Sequence, residues 1–195
     1  MELDPQAIDG TLYRTLSGAV VPRPIAWVST TSDAGVDNLA PYSFFTVAAI
    51  DPPLLVFAPV DGPDGLKDTA QNVADTEELV VNIVTEATVE AMNETSASLA
   101  REESEFDHAG VTREGSTQVS PPRVAESPVA FECELYDLQD VGSSSLILAE
   151  VVHVHIDDDV TTEGKLDVKK LDAVGRLSGS LYTHTTDRFG LERPP

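Results

Sequence analysis

Asn38-Leu39-Ala40-Pro41-Tyr42-Ser43-Phe44-Phe45 is the stretch on which the rest of the chain turns. It follows the apolar run Pro24-Ile25-Ala26-Trp27-Val28-Ser29-Thr30 and precedes Asp51-Pro52-Pro53-Leu54-Leu55-Val56-Phe57. Small residues, an amide and hydroxyls stand here among aromatics. A core strand would not place Asn38, Pro41 and Ser43 in this way. A wall that brings its backbone close to a flat polar ligand would. Pro22 and Pro24 cannot donate ladder hydrogen bonds, so their run belongs at a sheet edge or a bulge. The backbone groups left unpaired there can meet the polar edge of a ring. Ala26 and Ala40 allow close approach, and Ser29, Asn38 and Ser43 add polar side chains. A barrel strand with a proline bulge accounts for the same residues.

Working outward, short apolar runs are punctuated by turn formers. Ala19–Thr31, Val36–Val47 and Leu54–Pro59 read as extended, and Asp61-Gly62-Pro63-Asp64-Gly65 as a loop. Leu66 to Glu78 reads as a helix, with Leu66, Ala70, Val73 and Ala74 on one face and Asp68 or Thr69 as its cap. Leu79–Val84 reads as a buried strand, and Glu86–Glu102 as a second helical region. Residues 103–128 read as loop. Val129–Leu135 and Leu146–Ile156 form a hairpin, with Val152, Val154 and Ile156 expected to face inward. Strands that do not alternate with helices exclude a doubly wound parallel sheet. They predict an all-β-dominated fold, an antiparallel β-barrel with flanking helices, in a single domain over 1–195.

The composition excludes several functions. Asp and Glu number 34 against 12 Lys and Arg, a formal net charge of -22. Such a chain has no basic stripe for nucleic acid. The acids are spread along the chain, which points to a surface adapted to high salt, with an acidic partner-binding face as the other reading. Mean hydropathy is -0.09 and the apolar runs are broken, so no membrane span is expected. The acidic start Met1-Glu2-Leu3-Asp4-Pro5 lacks a secretory pattern, and a cytoplasmic protein is expected. The single cysteine, Cys133, reads as packing and rules out a cysteine zinc cluster.

Lys67-Asp68-Thr69 with Asn72 opens the first predicted helix. A helix start offers free N–H groups to a phosphate, and Lys67 and Thr69 would add a cation and a hydroxyl. Asp68 would have to turn away. A capped surface helix explains the same residues. His153 and His155 share one strand face, as a metal pair would. The polar face of a half-buried strand explains them better, so no metal is expected. Gly-x-Gly-x-x-Gly, phosphate-loop and Gly-x-Ser-x-Gly patterns are absent, so a Rossmann nicotinamide site is not supported.

Taken in order, these segments resemble the flavin reductase-like, FMN-binding split-barrel family. The resemblance continues through Val80-Val81-Asn82, Met92-Asn93, Pro122-Arg123-Val124, Glu150-Val151-Val152-His153 and Arg176-x-x-Gly179-x-x-Tyr182, and covers nearly the whole chain. Thr46 stands where many members of that family carry Asn. The resemblance implies a six-stranded antiparallel Greek-key split barrel, working as a homodimer with FMN near the subunit interface. It implies that Pro24, Ile25, Ala26, Trp27, Val28, Ser29, Asn38, Leu39, Ala40, Pro41, Tyr42 and Ser43 hold the ring and ribityl chain. Lys67, Asp68, Thr69 and Asn72 would surround the phosphate. Arg176, Gly179 and Tyr182 would line the site from a late motif. The implied activity is hydride transfer from NAD(P)H to flavin, with no catalytic side chain required. A flavin-binding electron carrier or flavin store without reductase turnover is the alternative.

Overall fold

The computed structural model describes residues 2–7, 10–62 and 65–194. Pro63 and Asp64 of the expected loop, the first residue and the last lie outside them. The elements run α1 (Tyr13–Ala19), β1 (Ala26–Thr31), β2 (Asp37–Tyr42), β3 (Phe45–Ala49), β4 (Leu54–Phe57), α2 (Asp68–Thr76) and β5 (Glu78–Ile83). Then come α3 (Val89–Glu94), α4 (Glu105–Ala109), β6 (Arg113–Glu114), β7 (Arg123–Val124), β8 (Val129–Val141) and β9 (Ser144–Ile156). The short β10 (Thr161–Thr162), β11 (Lys165–Leu166), α5 (Val168–Leu171), β12 (Val174–Arg176) and β13 (Tyr182–His184) close the chain.

Seven strands, one more than expected, form an antiparallel sheet in the order β2-β1-β5-β8-β9-β4-β3. Its two edge strands, β2 and β3, are separated in sequence only by Ser43 and Phe44. The sheet must therefore curl until its ends approach one another, which makes a half-closed barrel. Ala58 N–H donates to the Phe44 carbonyl at 2.9 Å, carrying the β3–β4 pairing into that two-residue link.

Side chains on β1 alternate between two cores, as a pleated strand requires. Ala26 and Val28 pack inside the curl with Tyr42, Phe57, Val81 and Ile147. Ile25, Trp27 and Leu39 pack outside it against Met92, Phe106 and Val111. Burying each such large apolar side chain contributes about 1.5–3 kcal/mol, so both faces of β1 hold the structure together. The proline-broken run is not part of the strand: β1 starts at Ala26, and Pro24 lies exposed before it.

Several expected bounds shift. The helix expected over Leu66–Glu78 starts at Asp68, with Leu66 exposed outside it and Ala74 on its exposed side. Neither Asp68 nor Thr69 caps it; Lys67 is the N-cap residue and makes no side-chain cap bond. The second helical region shrinks to α3. The segment read as loop holds α4, whose Glu105 and Phe106 are buried because they pack against β2. Val152, Val154 and Ile156 are not covered as expected, and are 37%, 42% and 41% exposed. A bulge at Val152, between the pairs Glu132–His153 and Cys133–Val151, resets the register there.

Candidate functional site

Two hollows of about 200 and 280 Å³ abut at Pro41 and Ser96 and form one cleft beside β2. One end lies at the start of α2, with Lys67, Asp68 and Thr69. The other lies at Arg23, Arg176, Gly179 and Tyr182. The far wall is the small-residue segment Thr95–Leu99, which the sequence reading did not single out.

At the α2 end the backbone is free to bind. Lys67 has extended dihedrals, and the N–H groups of Asp68, Thr69 and Ala70 have no partner among the described residues. These are the groups a helix leaves for an anion. Asp68 is turned to Arg101, 3.2 Å away, so its charge is partly offset on the surface. Thr69 does not aim its hydroxyl at the cleft; it donates to Asn38 Oδ1 at 2.7 Å. The Asn38 amide in turn donates to Glu105 Oε2 at 2.8 Å, and the same oxygen accepts the Leu39 N–H at 3.0 Å. Asn72 lies under the helix and donates to Thr30 Oγ1 at 3.0 Å. This buried network fixes α2 against β1 and β2, and so sets where the helix start points. Glu105, which the sequence reading missed, is its hub. One Glu among the acids Glu102, Glu103 and Asp107, in a segment read as loop, carried no signal of that role.

At the other end, Arg176 reaches the Tyr182 hydroxyl and the Gly179 carbonyl, and its guanidinium lies 4.5 Å from the centre of the Tyr182 ring. The Tyr182 hydroxyl also donates to Asn93 Oδ1 at 3.2 Å. Arg23 is 7% exposed and donates to the carbonyls of Ser17, Val20 and Leu177 at 2.5, 2.7 and 2.8 Å. Between the ends, Ile25, Ala40, Pro41, Tyr42 and Ser43 line the cleft. Burial pushes the Tyr42 phenol pKa up, so it stays neutral.

The expected residues therefore divide. Ile25, Asn38, Ala40, Pro41, Tyr42, Ser43, Lys67, Asp68, Thr69, Arg176, Gly179 and Tyr182 line the cleft. Pro24, Ala26, Trp27, Val28, Ser29, Leu39 and Asn72 do not. Trp27 is fully buried and donates its indole N–H to Thr95 Oγ1 at 2.9 Å, holding the far wall. Ser29 Oγ donates to the Pro122 carbonyl at 2.5 Å. Burial also raises the Cys133 thiol pKa, with the Glu132 charge adding to it, which fits packing and not reactivity. A third hollow, about 500 Å³, is rimmed by Asp37, Glu102, Glu103 and Asp107. Its one arginine, Arg113, is held by Asp37 and Asp107 at 3.0 and 2.7 Å, so this hollow repels phosphates.

Among the described residues, no helix is long and apolar enough to cross a membrane. Residues 17–177 match the flavin reductase like domain family. An uncharacterised protein of Halalkalibacterium halodurans is 41% identical over 202 residues, covering 100% of this chain and 97% of that protein. Nitrilotriacetate monooxygenase component B from Bacillus cereus superposes with a TM-score of 0.94 at 32% identity, covering 98% of each chain. The 2-nitrobenzoate 2-nitroreductase of Pseudomonas fluorescens superposes with a TM-score of 0.91 at 32% identity, covering 100% of this chain and 96% of that one.

Proposed function

This chain belongs to the flavin reductase like domain family, and from that premise we propose that it binds FMN and passes hydride to it from NADH or NADPH in the cytoplasm. The observation that carries the reading is the cleft itself. It joins an uncapped helix start beside Lys67 to a polar, aromatic end at Arg176 and Tyr182, with a lining of small residues between them. That sequence of groups suits a phosphate, a hydroxylated chain and a flat ring in turn. In this reading the α2 N–H groups and Lys67 hold the phosphate, Pro41 and Ala40 let the ribityl chain lie close, and Ser43 and Tyr182 face the ring. The flavin supplies the hydride chemistry. The protein orients it and excludes water, and no side-chain acid or base is assigned.

A second copy of the chain is part of the same reading. Val47 and Ile50 on the edge strand side are 58% and 83% exposed, and Val152, Val154 and Ile156 form an apolar stripe on β9. Exposed apolar residues grouped along strands mark an interface, and a homodimer is the occupant proposed.

The test is the visible spectrum of the purified protein titrated with FMN, followed by NADH and then NADPH. Bound flavin and nicotinamide oxidation support a reductase. Bound flavin without nicotinamide oxidation supports the carrier or store. Protein that stays colourless with added FMN overturns both. Acceptors of two kinds, a nitroaromatic acid and free flavin, then separate a nitroreductase from a flavin reductase.

A further inference from the structure

Outside the cleft, one cluster of ligating side chains has a built environment. Glu132 on β8 is fully buried, although it is charged. Its Oε1 accepts the Thr117 N–H at 2.7 Å, and its Oε2 accepts the N–H groups of Gln118 and Val119 at 2.6 and 3.3 Å. Three consecutive backbone donors thus fix the carboxylate and tie segment 116–122 to the barrel wall. His155 on β9 brings Nε2 to 2.5 Å from Oε1. His153, directly opposite Glu132 in the ladder, lies on the same face, with its ring centre 4.7 Å from that of His155. The His153 ring makes no hydrogen bond to any described residue.

We propose that Glu132, His153 and His155 form a site for a divalent transition metal of the zinc class on the outer face of the barrel. One oxygen or nitrogen from each lies within 4.8 Å of the others. A four-coordinate zinc with bonds of roughly 2.0–2.2 Å needs ligand atoms roughly 3.3–3.6 Å apart. The half-exposed His153 ring can turn to supply that closure. Two imidazoles and one carboxylate are a known zinc donor set, with solvent in the fourth place. The metal takes the position on Oε1 now used by His155, while the N–H groups of Thr117 and Gln118 remain on the carboxylate. Such outer hydrogen bonds hold a ligand's orientation and charge. The ion fastens the hairpin to segment 116–122, whose Pro122 carbonyl also receives the Ser29 hydroxyl of β1. None of the three residues lines the cleft. The site is therefore separate from flavin binding.

The test uses the full chain after chelator treatment, titrated with cobalt(II) in excess magnesium to occupy the acidic surface. The expected result is one cobalt per chain with the intense visible absorption of a four-coordinate site, displaced by zinc. The changes His153→Ala and His155→Gln, each checked for native circular dichroism, should weaken cobalt binding at least about tenfold. His153→Ala keeps the Glu132–His155 pair, so its loss of binding is not a folding defect. Three results overturn the site: no saturable binding, a six-coordinate spectrum alone, or the parent's affinity retained in both variants.

Discussion

Arg23 and Arg176 lie 153 positions apart and pair backbone to backbone. Arg23 N–H donates to the Arg176 carbonyl at 3.0 Å, and Arg176 N–H returns a bond to the Arg23 carbonyl at 2.8 Å. The pair joins the proline-broken approach to β1 with the late strand β12, and so places the two arginines at one end of the cleft. Beside it Gly175 has no room for a side chain, since a Cβ there would sit 3.0 Å from the Cβ of Pro22. The guanidinium of Arg23 then bonds three carbonyls from two chain segments, which makes it the tie of this corner.

Arg23→Ala should therefore remove a structural tie and a cleft wall together. Hydrogen bonds from a charged donor contribute roughly 1.5–3 kcal/mol, and the Ser17 carbonyl, whose bond is the buried one, would lose this donor. Urea unfolding should show a loss of that order. An unchanged midpoint would mean that the corner holds without its guanidinium.

Lys67→Ala tests the phosphate end by itself. Loss of one exposed cation should raise the Kd for FMN roughly tenfold, about 1.4 kcal/mol. Riboflavin, which lacks the phosphate, should bind the variant and the parent alike. Calorimetry with both ligands makes the comparison. Equal loss for both would place Lys67 elsewhere than on a phosphate.

Val154→Lys puts a charge in the middle of the β9 stripe without touching the cleft or either core. Light scattering should show the parent as a dimer and the variant shifted toward monomer at the same concentration. A parent that runs as a monomer sinks the homodimer.

Glu132 sets an acid limit. Burial works to raise its pKa, but the bond to His155 and the N–H groups of Gln118, Thr117 and Val119 outweigh it and bring it from the ordinary 4.5 to about 2. A carboxylate with a lowered folded-state pKa stabilises fully above its unfolded value. That contribution is lost as the pH falls from 4.5 toward about 2. Chelator-treated Glu132→Gln should be less stable than the parent at neutral pH and lose less between those limits. Parallel acid-unfolding curves would contradict the assignment.

The net charge of -22 predicts a salt response. The Debye length falls from about 8 Å at 0.15 M salt to about 3 Å at 1 M, so repulsion across the surface fades. The melting temperature should rise with potassium chloride over that range. A flat or falling profile would argue against a surface adapted to high salt.

Much of the fold was legible along the chain. The strands around Trp27, Tyr42, Phe57 and Val80 announce themselves by β-branched and aromatic runs between prolines and glycines, because those patterns are local. Lys67 at a helix start was legible for the same reason. The side of β9 that is covered was not. Alternation divides a strand into two faces but does not say which one meets a neighbour. Here the valines stay exposed and the histidines share the face of Glu132, because segment 116–122 crosses that face and a bulge at Val152 resets the pairing.

By itself the sequence determined an antiparallel barrel, an acidic composition, and most of the segments that line the cleft. Tertiary structure alone decided which of their side chains reach it. Trp27, Ser29, Leu39 and Asn72 spend theirs on the core and its hydrogen bonds, while Glu105, distant in sequence and silent in pattern, holds Asn38 and Leu39 in place. The reason is physical: local patterns fix what a segment is, but the direction of each side chain follows from whatever packs against it.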